Sequence, residues 1–388
     1  MSSATGNNST EHIRLHEGQG DVPALFAHHN PRLQAVGLKV VHGQRITEAD
    51  ALLLYQQADL ALLALLASTV AQRLNGNNVL YNKNFHIEPT NLCRYSCRFC
   101  SYHKAEHDPQ CWTLTLAEIE QLARRYAHSD VTEAHIVGGV HPQWGLDEYC
   151  SIVRTVRTAL PGVHIKAFSA VELHYVFDRE GIMPHDGLVR LQREGLNSIP
   201  GGGAEIFAPE IRQLICPEKA SPEQWLAVHE AAHRLGISSN ATMLYGHIER
   251  YEHRVAHMAA IRALQDKTGG FNCFIPLKYR AAGNPMGHLG EVPLSEDLRN
   301  YAVSRIFMDN IAHLKAYWPM LGMAHLPLAI AFGADDIDGT IDDTTKIYTM
   351  AGAQDQTVRL TVSALQDIAR RAGKNPVERD SLYRHIAQ

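Results

Sequence analysis

The sequence predicts an α/β fold, a TIM-type (β/α)8 barrel with N-terminal and C-terminal helical extensions, on three observations. From residue 83 onward, short apolar or β-branched runs alternate with amphipathic stretches, the pattern of a parallel sheet whose crossovers are helices. Eight such runs fall within roughly 260 residues, close to the ~250 that a barrel of this kind takes. The 388-residue chain is also 45% hydrophobic, enough to fill a barrel and cover it with helices.

The elements follow in chain order. Residues 1–20 are polar and hold no apolar run, and a flexible N-terminus is expected over 1–30. Residues 31–80 read as an N-terminal helical extension. There Thr47 stands three residues before Asp50 in a capping-box pattern, leucines from Leu52 to Leu66 supply the apolar positions, and Gly76 closes the segment. The barrel is expected over 81–345. Its strands should lie at 85–88, 133–138, 164–169, 196–200, 239–244, 272–277, 314–318 and 334–339. Its helices should lie at 115–128, 146–159, 186–193, 209–215, 222–235, 251–267 and 295–313. The stretch 322–332 is short and contains Pro327, a poor residue deep inside a helix. Residues 346–388 read as a C-terminal helical segment whose helix starts near Thr357 and stops at Gly373, with Arg370 and Arg371 favouring the negative end of its dipole.

Charge and composition exclude several function classes. Lys plus Arg number 36 against 41 Asp plus Glu, which opposes nucleic-acid binding and leaves room for a small anionic substrate held by local cations. No apolar leader is visible, and the run 60–70 is shorter than the ~20 residues of a membrane span, so no membrane partner is expected. Seven cysteines without a secretory signal argue against a disulfide framework and for a reducing, cytoplasmic setting.

Three of those cysteines carry the chemistry. Cys93-Arg-Tyr-Ser-Cys97-Arg-Phe-Cys100 follows the first barrel strand. Thiolates at this spacing wrap a loop around a soft metal centre: zinc, copper(I) or an iron–sulfur cluster. A structural zinc site or an electron-carrying cluster wants four ligands, for which Cys111, His103 and His107 are the nearest further candidates. Three ligands with one open iron make a different object, able to bind a ligand at the vacant position.

The CxxxCxxC spacing with an aromatic before the last cysteine resembles the radical S-adenosylmethionine family. The resemblance implies a [4Fe–4S] cluster on Cys93, Cys97 and Cys100, with S-adenosylmethionine chelated to the fourth iron as co-substrate. It places Phe99 near the adenine, with Tyr102, His141 and Leu244 also on the cofactor side. It gives the Gly138-Gly139 pair after the second strand to the methionine amino group, and Glu205 in Pro200-Gly-Gly-Gly-Ala-Glu205 to the ribose or methionine. Read without it, the paired glycines are a tight turn and the glycine-rich loop a phosphate cradle lacking the following Gly-Lys-Ser/Thr of a P-loop.

Four residues are candidates for the reaction itself. Glu172 stands at the end of the third strand segment, where barrel active sites lie, or else starts a helix. His247, in Thr242-Met-Leu-Tyr-Gly-His247-Ile-Glu249, could act as acid or base; Thr242 departs from the glycine often found there in the family. Lys278 and Arg280 would share one side of an extended chain and suit substrate carboxylates. Asp335, Asp336 and Asp338 would be rim carboxylates of the eighth strand.

The runs 135–142, 165–172, 200–206 and 240–249, together with 333–340, resemble the aminodeoxyfutalosine synthases of the futalosine route to menaquinone across roughly residues 45–385. That group implies addition of the 5′-deoxyadenosyl radical to 3-[(1-carboxyvinyl)oxy]benzoate, aryl migration and loss of carbon dioxide to give 6-amino-6-deoxyfutalosine. It also implies an electron donor such as flavodoxin or ferredoxin. The sibling cyclic dehypoxanthine futalosine synthases and deazaflavin (FO) synthases share the frame, and a non-catalytic iron–sulfur carrier is the reading from another class.

Overall fold

The structure, a computed structural model, describes residues 28–342, residue 350 and residues 359–386. Nearly all of the N-terminal segment expected to be flexible, residues 1–30, lies outside the described residues, as does Thr357.

Seven parallel strands pair in chain order and curl into a barrel of the TIM type. They are β2 Asn84–Ile87, β3 Glu133–Ile136, β4 His164–Ala167, β5 Ser198–Ile199, β6 Ser238–Tyr245, β7 Phe271–Lys278 and β8 His313–Leu314. Each follows an expected run, because buried parallel strands need apolar side chains on both faces. Helices over Leu146–Ala159, Pro209–Ile215, Pro222–Arg234 and Tyr251–Thr268 match their patterns to within a residue. Their N-termini carry local signals, such as Ser221, which accepts from the Gln224 N–H.

Closure of the barrel departs from the expected eighth strand. That strand, β9 Asp336–Gly339, touches β8 through a Lys315–Asp336 bridge, but its ladder runs to β1 Asn78–Asn82. On the other side of β1 lies β10 Asn375–Glu378, giving a second three-stranded sheet. The remaining gap is closed by a side chain. The Thr340 hydroxyl donates to the Asn84 carbonyl at 2.7 Å and accepts from the Asn84 N–H at 3.0 Å. Gly339 is required here, because a Cβ would lie 2.4 Å from the Asn82 carbonyl oxygen.

Strands β1 and β10 thus follow directly on the helices expected to stop at Gly76 and Gly373, where no strand was expected. The tail does form a helix, Val362–Arg371, before it enters β10. The leucine-rich N-terminal segment is two helices, Glu48–Gln57 and Leu60–Asn75, because Asp59 accepts from the Leu62 N–H and starts a new helix. Thr47 and Asp50 form the expected capping box. Pro327 is accommodated in the first turn of a six-residue helix, Leu326–Ala331, where its missing N–H costs little. A helix runs over Ala170–Glu180, so of the two readings of Glu172 the helix start holds and the strand end does not. Among the described residues no helix is long and apolar enough to cross a membrane.

The tail is tied to the barrel by charge. The Arg379 guanidinium donates to Asp336 Oδ2 at 2.7 Å, and both groups are buried. Arg379→Ala strands the Asp336 carboxylate, and a loss of about 3–5 kcal/mol is expected in urea denaturation. An unchanged midpoint would show that the tail is not part of the folded unit.

Candidate active site in the barrel mouth

A cavity of about 300 Å³ runs down the barrel interior. Alternate residues of β6 (Asn240, Thr242, Leu244) and β7 (Ile275, Leu277) face into it, as period-two side-chain alternation dictates. Phe99, Cys100, Ser101 and Tyr102 of the cysteine loop form one wall. His135, Lys166 and Asn240 come earlier along their strands than Val137 and Leu244 do on theirs, so they lie deeper, with Lys315 and Asp338 beside them.

The cysteine loop is held by backbone contacts at the end of β3. Gly139 N–H donates to the Thr90 carbonyl at 2.7 Å, and Arg94 N–H to the Val140 carbonyl at 2.7 Å. A Cβ on Gly138 would lie 2.7 Å from the Thr90 oxygen, and one on Gly139 2.4 Å from the Leu92 oxygen. The paired glycines therefore let two chains touch, whatever ligand they also meet. Val140 N–H reaches Cys93 Sγ at 3.3 Å and His103 N–H reaches Cys100 Sγ at 3.4 Å, donors of the kind that stabilise thiolate ligands. Burial pushes the bare Cys97 thiol up to about 12, so metal binding there must displace a proton. Cys100 opens on the cavity, and three thiols within eight residues are the donor set that a soft metal centre such as an iron–sulfur cluster takes.

Glu172 is the third residue of the Ala170–Glu180 helix. Its Oε2 accepts from the Ser169 N–H and hydroxyl, both at 2.7 Å, and its Oε1 from Gly138 N–H at 3.3 Å. Burial raises its pKa to about 7 against these donors. It does not line the cavity; it braces the glycine pair that braces the cysteine loop.

Of the four candidates for the reaction, Arg280 lines the cavity, and it donates to the Met320 carbonyl at 3.1 Å. Lys278 does not. The strand ends at Lys278, so alternation does not carry on to Arg280, and the Lys278 ammonium bonds Asp297 at 2.7 Å and the Val292 carbonyl at 2.9 Å. His247 is buried outside the cavity lining, its Nδ1 3.3 Å from Glu249. Glu249 accepts from the backbone N–H of Gly246 and His247 and pairs with Arg254, so this motif builds a turn. His141 stacks on Trp144 at 4.5 Å and also lies off the cavity. Phe99, Tyr102, Glu205 and Leu244 do line it. Of the three aspartates only Asp338 faces the cavity; Asp335 bonds His313 and Asp336 bonds Arg379.

Three lysines had no local signal. Lys219 pairs with Glu205 and sits 5.6 Å from the Phe99 ring centroid, linking the glycine-rich loop to the cysteine loop. Glu205 has φ 51, a left-handed conformation rare outside glycine. Deeper in the barrel, Lys166 pairs with Glu133 at 2.6 Å and Lys315 with Asp338 at 2.9 Å. Burial opposes the Lys315 charge, yet Asp338 and Asp336 hold its pKa above the ordinary value. Burial keeps His135 well below its ordinary pKa, and neighbouring His86 and Lys166 add to that.

Two outcomes are expected. Gly139→Ala forces the loop away from Leu92, costing about 1–3 kcal/mol and lowering iron bound per chain on reconstitution; full iron content would refute the close-contact role. For Glu172, the folded pKa exceeds the unfolded one. Its protonated form therefore favours folding below about pH 4.5, and that contribution is lost as pH rises to about 7. The stability of the parent relative to Glu172→Gln should fall across that window by on the order of 1–3 kcal/mol, read from urea midpoints. A flat difference would place the carboxyl's pKa near 4.5.

The Radical SAM superfamily profile matches residues 87–261, and that of the CofH/MqnC C-terminal region matches residues 268–388. The aminodeoxyfutalosine synthase of Thermus thermophilus is 38% identical over 92% of this chain and 96% of its own. That of Streptomyces coelicolor is 39% identical over 89% and 92%. The 5-amino-6-(D-ribitylamino)uracil–L-tyrosine 4-hydroxyphenyl transferase of Methanothermobacter thermautotrophicus is 35% identical over 88% and 94%. The FeFe-hydrogenase maturase HydG from Carboxydothermus hydrogenoformans shares the fold, with a TM-score of 0.71 at 15% identity over 94% of this chain and 83% of that one. With its cysteine loop facing a barrel cavity and these matches along its length, the chain is an enzyme of the radical S-adenosylmethionine superfamily, in the group that carries the CofH/MqnC C-terminal region.

Proposed function

We propose that the enzyme is an aminodeoxyfutalosine synthase, converting 3-[(1-carboxyvinyl)oxy]benzoate and S-adenosylmethionine to 6-amino-6-deoxyfutalosine and carbon dioxide. The observation that carries this reading is a cavity walled by the cysteine loop at its mouth and supplied with cations, Arg280 among them, for an anionic substrate. The identity of 38–39% to two synthases of that name, spanning nearly the whole chain, supports it.

In this reading Cys93, Cys97 and Cys100 hold a [4Fe–4S] cluster. When bound, the cluster and S-adenosylmethionine supply, with one electron from a donor such as flavodoxin or ferredoxin, the 5′-deoxyadenosyl radical that adds to the enol-ether double bond. The protein's share is positioning and exclusion. Phe99, Tyr102 and Leu244 flank the adenosyl group, and Glu205, fixed by Lys219, meets its polar edge. Gly138 and Gly139 hold the cysteine loop in register. Ile275, Leu277 and Met320 present apolar walls that keep water and stray hydrogen donors from the radical.

The test is anaerobic. The protein is reconstituted with iron and sulfide, reduced, given S-adenosylmethionine and the enol ether, and its products are weighed by mass spectrometry. An adenosyl adduct that has lost carbon dioxide is expected, and Cys97→Ala should abolish both cluster and product. Free 5′-deoxyadenosine alone would overturn the synthase reading, and product from L-tyrosine with 5-amino-6-(D-ribitylamino)uracil would replace it with the reaction named for the archaeal relatives. Turnover by Cys97→Ala would overturn the ligand assignment.

A further inference from the structure

The cavity floor carries more charge than a barrel core needs for packing. Lys166 and Lys315 both line it; Lys166 is in register with His135, and both ammonium groups lie near enough to that imidazole to add to the burial that holds its pKa down. From Asn240 to Leu244 the chain rises four residues, about 13 Å along the strand. That leaves space for a nucleoside at the mouth and an aryl group beneath it. The partner of Lys166, Glu133, does not line the cavity; it sits one layer down β3, in register with His164. Lys166 itself is a lining residue, and this carboxylate holds its ammonium from below. An ammonium has three N–H donors, so pairing with Glu133 at 2.6 Å leaves donors over. Lys315 is paired at 2.9 Å with Asp338, which itself lines the cavity. Two lysines buried this deep are costly unless paired or used, and packing alone would be served by apolar residues of similar volume.

We infer that Lys166, assisted by Lys315 and the Asn240 amide, binds the aryl carboxylate of the substrate. This orients the molecule with its benzoate on the floor and its enol ether toward the cysteine loop. The assignment rests on the proposed reaction and adds a direction to it. The carboxylate that survives into product is the one on the floor. The carboxylate that leaves as carbon dioxide lies nearer the mouth, on the side of Arg280. An aryl acid entering a largely apolar cavity gives up its hydration, so its affinity depends on the ammonium groups that replace the water.

The test measures binding, independently of turnover. The probes are 3-hydroxybenzoate and its neutral counterpart 3-hydroxybenzamide, titrated calorimetrically into reconstituted enzyme loaded with S-adenosylmethionine. The parent should prefer the acid. Lys166→Met/Glu133→Gln removes the ion pair as a unit, so no lone charge is left buried. It should lower acid affinity about 10- to 100-fold and leave amide affinity unchanged. Lys315→Met/Asp338→Asn should cut the preference less. Reductive cleavage of S-adenosylmethionine should persist in both, showing that each variant is folded and holds its cluster. An acid preference retained in the Lys166→Met/Glu133→Gln enzyme overturns the floor assignment, as does a parent that binds acid and amide alike. Failure of the proposed reaction is read separately, as absence of the adenosyl adduct from the parent enzyme.

Discussion

Close backbone contact between Thr90–Arg94 and Gly138–Val140 is the constraint on which the mouth of this barrel depends. The loop that carries Cys93, Cys97 and Cys100 buries Tyr95 and Tyr102, but apolar packing does not fix its path. It is held by hydrogen bonds, Gly139 to Thr90 and Arg94 to Val140, which form only where two chains approach without side chains between them. Glu172 extends the same brace. One carboxyl caps its own helix and receives the Gly138 N–H, so the helix after β4 is locked to the loop after β3. Lys219 closes the arrangement from the other side through Glu205 and the Phe99 ring.

Below the mouth, the barrel interior is charged where an ordinary core would be apolar. Lys166 with Glu133, and Lys315 with Asp338, are buried pairs, and such pairs contribute little net stability for the desolvation they require. Asp336, one position from Asp335 and two from Asp338, turns away to Arg379 in the tail. The strand therefore distributes its carboxylates to three destinations: His313, Arg379 and the cavity. The C-terminal segment is in this way part of the barrel's electrostatics as well as of its second sheet.

Much of the fold could be read from local pattern. Capping residues such as Thr47 and Ser221 act across three positions, and the parallel strands advertise themselves as apolar runs, so most barrel elements were legible. The short strand β8 and the Ala170–Glu180 helix were less so. The helix begins with a Ser169-to-Glu172 capping box, a signal present in the sequence but overshadowed by the strand expected to end at the same residues. The pairings of β1 and β10 join positions nearly 300 residues apart, and nothing in either short segment specifies its partner.

The site divides along the same line. The sequence alone singled out the cysteine loop, because Cys93, Cys97 and Cys100 stand within eight residues of one another. It also pointed to Phe99, Glu205, Leu244 and Arg280, which line the cavity from strand β6 or from the loops after strand ends. Only the tertiary structure decided that Lys278 and His247 are engaged elsewhere, by Asp297 and Glu249, and that Lys166, Lys219 and Lys315 face the cavity or its loops. The physical reason is that a lysine's role is set by which carboxylate lies within reach of its long side chain. In a parallel barrel that partner comes from another strand or a distant loop, beyond the range of any periodicity along the chain.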